Sequence, residues 1–489
     1  MHISSLVAAD GQDVVLDADR DIVVDEVVAT GERFVKKGTG SADVRKMPVN
    51  TPPTALAVAC GSLKPKFVFN PDNSALFHFD ASNVDSMRIQ VSDDQTVTNV
   101  THWYDSRGNG LYARSEWDAQ TTYTKDRSET SFAFAVADPK LVTVTLAEGV
   151  TGLALDFGTK RNCKDIPTAA DTSTTAAAMR FYDANVKRTN GDDAETRYDT
   201  VQETFLVVAR HGSKVNNLIG DASAAGTTTD AAGRLLPNGG NYMSDSTLAN
   251  ANYSYLTFTN DSGTVFVNGE SVKGSTYTFT EAMGFKLIEY RPGGDTRVGA
   301  LALDRNCNAG GCYICEVIGF DHVLTDAERT QLRAQLQHKW FGLDLPTRTF
   351  TSIEVAPGAS LDMGTEDLAV SSVTGGGLLT CGGLMLAGSE SAAKIAVAYH
   401  SAEDVDCFTV TSPVSFPNGV TVSVSFAGVN MADVAPGEWP IFTAPNLALE
   451  SHALSYAHDY TGTRCVSIVR SGNTLLLRVM PRGTAIIFR

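Results

Sequence analysis

The chain of 489 residues is long enough for two or three domains with sizeable cores. Its 39 lysines and arginines face 56 aspartates and glutamates, a net charge of −17 with no basic stripe among aromatics, so nucleic acid is not an expected partner. No apolar run approaches the roughly 20 residues of a helical membrane span, and a charged fraction of 19% with 42 glycines suits a β-rich, loop-rich protein.

In chain order, residues 1–65 carry short apolar runs such as DVVLDADRDIVVDEVVA, whose period-two alternation predicts strands. Asp17, Asp19 and Asp21 alternate there. The first residues, MHISSLVAADGQDVVLDADRD, lack both a basic n-region and a long apolar h-region and do not read as a secretory signal. Either the protein stays inside or the numbering begins after a removed leader.

Residues 66–345 form a large central block. It ends in a strand carrying Val317, Ile318 and Phe320, a turn at Asp321-His322, and a helix predicted from Thr325 to Trp340. Thr325 and Glu328 have capping-box spacing, and Leu332, Leu336 and Trp340, with Leu324 nearby, form an apolar stripe. The stripe is expected to pack and the charged face to be solvated. Pro346 marks a boundary. Residues 346–489 read as all β: Gly-rich rungs such as GGGLLTCGGLMLAG fit a solenoid or a sandwich, and Ser471-Gly472-Asn473 sits between two strands of a hairpin.

Of eight cysteines, three cluster as Cys307, Cys312 and Cys315. Their spacing lacks the paired ligands of a zinc site. A Cys307–Cys312 disulfide across the Asn-Ala-Gly-Gly loop, or plain buried thiols, is the expectation.

Three pieces of the central block resemble the concanavalin A-like, laminin-G-like jelly-roll family: LFHFDASNVDS with HWYDSRGNG, then GTVFVNGESV, then YICEVIGFDHVLTDAERTQL. TFLVVARHG fits a buried central strand of that family and GLALDFG a strand end. Asn268-Gly269 independently suits a type I′ hairpin turn. FVKKGTGSADV followed by CGSLKP resembles the β-strand repeat of autotransporter passenger domains, which stacks into a solenoid. The resemblances imply an all-β chain, a central jelly-roll sandwich with one capping helix flanked by solenoid-like or sandwich segments. They also imply a secreted or cell-surface protein whose leader has been removed.

For function, the fold hosts lectins and glycoside hydrolases. The hydrolases need two carboxylates about 5 Å apart, and the family's Glu-x-Asp-x-x-Glu pattern is absent; Asp165, Asp171 and Asp183 have no paired spacing. No Gly-x-Ser-x-Gly, His-Glu-x-x-His or phosphate-binding loop occurs. His102, His211 and His338 read as packing or surface residues. No catalytic residue is expected. Calcium is a candidate cofactor, and the motifs put Asp80, Asp105 and Asn109 at strand ends and in a turn; the alternative is that the aspartates cap turns. Tyr104, Tyr112 and Trp117 are candidates for a sugar platform, with Trp103 pointing into the core by alternation. The expected partner is a glycan or another surface protein. The second reading is a structural, self-assembling surface component.

Overall fold

A computed structural model describes residues 1–7, 12–29, 31–48, 52–67, 69–91, 98–115, 123–124, 131–132, 137–159, 177–211, 218–220, 234–235, 264–271, 281–291, 296–302, 310–388, 391–449 and 453–482. The chain is all β, with one α-helix among the described residues. It divides into two units, Met1–Phe69 together with Leu345–Arg489, and Asn70–Asp344. Where the sequence suggests three successive domains, the outer two pieces share their sheets and form one body.

That body is a parallel β-solenoid. In one sheet Val14–Asp17, Arg33–Lys37 and Ala55–Val58 stack in parallel, and Arg348–Val355 pairs directly onto Ala55–Val58. Asp367–Gly375, Ala393–Ser401, Val420–Ser425 and Leu454–His458 continue the stack. The register aligns Phe34, Leu56, Ile353, Val373, Ile395 and Val422 into one buried column, because period two sends alternate residues of every rung inward. A second parallel sheet runs from Ile22–Val24 through Ser41–Val44, Ser62–Pro65 and Ser360–Asp362. An antiparallel hairpin, Cys465–Ser471 with Thr474–Met480, pairs with Gly437–Thr443 in that sheet. Asp19 and Asp21 link rungs: Asp19 accepts the Thr39 N–H at 3.2 Å and Asp21 the Ser41 N–H at 2.9 Å, both across 20 residues.

The second unit is a sandwich. One half has Ala75–Asp80, Cys312–Phe320, Glu203–Arg210, Lys286–Arg291 and Thr264–Val267 as antiparallel neighbours in that order. The other has Met87–Val91, Thr98–Tyr104, Leu111–Arg114 and Met179–Lys187. The hairpin Lys140–Ala147/Val150–Asp156 hydrogen-bonds to both halves. Between them Phe79 meets Trp103 and Phe181 at centroid distances of 5.5 and 5.1 Å, and Phe77 meets Phe181 at 5.4 Å. The Asn268-Gly269 turn has φ of 52° and 91°, as its type requires.

The helix, Asp326–Phe341, starts with the expected capping box at Thr325 and Glu328 and ends at Gly342 in the left-handed region. Leu324, Leu332, Leu336 and Trp340 are buried as the stripe predicts. The charged face is solvated only in part: Asp326, His338 and Lys339 are exposed, whereas Arg329 is buried. Three glutamates, Glu203, Glu289 and Glu316, lie buried on neighbouring strands, and the helix cations reach down to each. Arg329 Nε donates to Glu203 at 2.6 Å, Arg333 forks onto Glu289 with one bond of 2.7 Å, and Lys339 meets Glu316 at 2.7 Å. A bulge makes the third pairing possible. Val207 pairs with Glu316 but Val208 with Ile314, so Cys315 has no opposite number. The extra residue resets the inward–outward alternation after Cys312 and Ile314, and turns Glu316 to the outside while Val317 joins the core.

Candidate functional site

The outer face of the second half-sheet collects aromatic side chains. Tyr104 lies directly across from Tyr112, and Tyr112 across from Tyr182. His102 falls two residues before Tyr104, so the same pleat brings it to that face. Trp103, Ala113 and Phe181, one residue out of phase, are buried in the core. The rings form a continuous row: His102–Tyr112 at 5.3 Å, His102–Tyr104 at 6.0 Å, Tyr104–Tyr112 at 5.6 Å and Tyr112–Tyr182 at 5.6 Å. The Arg114 guanidinium lies 4.3 Å from the Tyr182 ring centre.

Exposure falls along the row, from 41% at Tyr104 to 4% at Tyr112 and 1% at Tyr182. The buried end is fixed by hydrogen bonds: Tyr112 Oη donates to Asp193 at 2.6 Å and Tyr182 Oη to Glu195 at 3.3 Å. Burial, then the Asp193 carboxylate, push the Tyr112 hydroxyl well above the usual phenol range, so it stays a donor. The structure therefore joins two of the three sugar-platform candidates, Tyr104 and Tyr112; Trp117 lies outside the described residues. His102 extends the row, and period-two counting from Tyr104 is the signal that finds it.

The three calcium candidates are each engaged in turn capping. Asp80 accepts the Ser82 N–H at 2.9 Å, Asp105 the Arg107 N–H at 2.8 Å and Asn109 the Leu111 N–H at 3.0 Å, each two residues on. Arg107 supplies a positive charge at the turn: its Nη2 lies 2.8 Å from Asp105, and the same guanidinium donates to the carbonyls of Ala75 and Leu76. The turn adjoining Tyr104 is held rigid this way.

A second cluster lies under the helix. His78 Nδ1 is 2.5 Å from Asp72, and its Nε2 is 2.7 Å from Glu316. Lys339 Nζ sits 2.6 Å from Asp80 and 2.7 Å from Glu316, whose carboxylate also takes the Trp340 indole N–H. Burial disfavours the imidazolium, but hydrogen bonds to the two carboxylates overcome this and raise His78 to about 9. Burial likewise opposes the Glu316 anion, and His78 and Lys339 outweigh it, bringing Glu316 down to about 2. Among the described residues, His78, Asp80 and Glu316 are the group close enough to share a metal ion. Their chemistry does not fit one: both ring nitrogens of His78 face carboxylates, and the Lys339 ammonium already bridges Asp80 and Glu316. This is also a close carboxylate pair that spacing along the chain does not reveal. With Glu316 shut from solvent and both acids held by one lysine, it offers no open acid and base to a sugar.

Cys312 is a free, buried thiol and Cys315 another, while Cys307 lies outside the described residues. No helix among the described residues is long and apolar enough to cross a membrane. No protein-family model, curated protein or solved structure matches the chain.

Proposed function

We propose that the chain is a non-catalytic, secreted or cell-surface protein whose sandwich binds carbohydrate on the face carrying Tyr104, His102 and Tyr112. The observation that carries this reading is the cross-strand ring row with an exposed end. The exposed Tyr104 ring, backed by His102 and the buried Tyr112, suits stacking on the apolar face of one sugar ring. The buried end, held by Asp193 and Glu195, keeps the platform from reorganising on binding. In this reading the solenoid carries the module.

The test is binding to a panel of polysaccharides and glycan arrays, with and without calcium, for the native chain and for Tyr104→Ala. Retention of a glycan by the native chain, weakened at least tenfold in the folded variant, is expected. Absence of binding in both calcium conditions, or binding indifferent to Tyr104→Ala, overturns the reading.

A structural, self-assembling role is the second reading. The parallel stack of rungs favours it, since such edges pair readily with another copy. Concentration-dependent growth in sedimentation, without glycan binding, is its signature.

A further inference from the structure

The cluster under the helix holds the parts of a condensation reaction. Lys339 Nζ is 2.6 Å from Asp80 Oδ2. The other oxygen of that carboxyl, Oδ1, accepts two donors from Ser82, the backbone N–H at 2.9 Å and the hydroxyl at 2.7 Å. Glu316, buried, reaches the same Nζ at 2.7 Å and is held by His78 and Trp340. A nucleophile, a carboxyl with one polarised oxygen and a positioned base therefore meet at one point. An ordinary surface ion pair has neither of the last two.

We propose that Lys339 and Asp80 become joined by an intramolecular amide bond, with Glu316 as the proton relay. The ammonium passes one proton to Asp80 Oδ2 through the hydrogen bond between them, leaving an amine and a neutral carboxylic acid. The Nζ lone pair then bonds to Cγ, and charge develops on Oδ1, where the two Ser82 donors stabilise it. Glu316 takes a second proton from nitrogen and returns it to Oδ2. The Cγ–Oδ2 bond breaks and water leaves. Ammonium and carboxylate become amide and water, with no oxidant and no cofactor.

Burial works against the Lys339 ammonium and the flanking carboxylates favour it, with a net upward shift. The reacting amine therefore arises by transfer inside the pair and not by release to solvent. The Trp340 ring, 4.8 Å from Nζ, covers one side of the reacting nitrogen. The bond would tie the first sandwich strand, Ala75–Asp80, to the closing helix.

Intact-mass spectrometry of the denatured full chain tests this. The expected mass falls short of the sequence by one water, and proteolysis yields a branched peptide joining Asp80 to Lys339. Glu316→Gln, whose one carbonyl oxygen keeps an acceptor for the Trp340 indole while its amide can donate to a neutral His78 ring, is expected to fold with an unchanged helix signal yet show the full mass. The full sequence mass for the native, folded chain after prolonged incubation reduces the cluster to an ion pair and overturns the proposal. So does a shortfall that survives Asp80→Ala, or one whose branched peptide contains other residues. A shortfall that survives Glu316→Gln removes the relay role.

Discussion

Arg329 and Glu203 meet in a site closed to solvent, with the guanidinium Nε 2.6 Å from the carboxylate and the other carboxylate oxygen receiving the Leu324 N–H at 2.7 Å. One glutamate thus fixes both the entry to the helix and its first turn. Removing Arg329 leaves the buried Glu203 with only the more distant Arg291, 3.9 Å away, as a counter-charge, so Arg329→Ala is expected to cost about 3 kcal/mol. The double change Glu203→Leu with Arg329→Met is expected to cost much less. Denaturant titration of the full chain, with hydrogen exchange of the helix amides as the local readout, checks both. Equal losses for the single and double changes would show that packing, not the pair, holds the helix.

The His78 network predicts a pH dependence. His78 is raised from 6.5 to about 9, so its contribution is complete below 6.5 and disappears as pH climbs through 9. While Lys339 is an ammonium, Glu316 is lowered from 4.5 to about 2, so its contribution is complete above 4.5 and vanishes as pH falls through 2. Between 4.5 and 6.5 both are in full effect. The sandwich is expected to lose on the order of 3 kcal/mol between the middle of that window and the alkaline side of 9. His78→Gln should flatten the alkaline slope. A His78 ring titrating near 6.5 by NMR would contradict the network.

Gly319 pairs with Thr204 on one side and Phe77 on the other, and a side chain there would enter the ring of Phe77. Gly319→Ala is expected to destabilise the sandwich by about 1–3 kcal/mol through overpacking. Combining it with Phe77→Leu should recover part of the loss. Thermal unfolding of the two variants measures this.

In the solenoid, Phe408 and Phe442 stack on adjacent rungs at 6.1 Å with their planes within 5°. Phe442→Ala should cost about 3–5 kcal/mol. Each rung touches mainly its neighbours, so the damage should stay local. Hydrogen exchange is expected to quicken in Phe408–Val410, Gly437–Thr443 and the closing hairpin, and to stay unchanged in Val14–Asp17 and Arg33–Lys37. A uniform loss would mean that the solenoid unfolds as one unit.

Local features were legible in the sequence. The Thr325–Glu328 box, the Leu332–Leu336–Trp340 stripe, the Asn268-Gly269 turn and the opposed directions of Trp103 and Tyr104 all depend on neighbours within a few residues. Tyr104 and Tyr112 were readable as partners because one short turn separates them. Nonlocal features were not. The pairing of Ala55–Val58 with Arg348–Val355 spans the whole sandwich, and no period links the two strands. The Glu203, Glu289 and Glu316 row did leave a trace, as a single acid inside each of ETFLVVAR, KLIEYR and CYICEVIGF. An acid inside a buried strand demands a counter-charge, and Arg329, Arg333 and Lys339 of the helix supply it. Glu316 was harder still, since the bulge at Cys315 breaks the count that would assign its side. The rung period was also present, with Asp19 and Asp21 standing 20 residues before Thr39 and Ser41.

Thr351 Oγ1 donates to the Thr54 carbonyl across 297 residues. That separation has a kinetic consequence. The rung they share cannot seal until everything between them has been synthesised and brought back, the kind of distant closure that slows folding. The sandwich supplies its own remedy. Its first strand lies against its last one, and Asp80 touches Lys339, so once it has folded the slack between the two solenoid pieces shrinks to a short tether. Closure entropy follows the effective length of a loop, not the number of residues stored inside it. The expected order of events is therefore sandwich first and the joining rung second, with the N-terminal rungs waiting incomplete until their partner strand arrives.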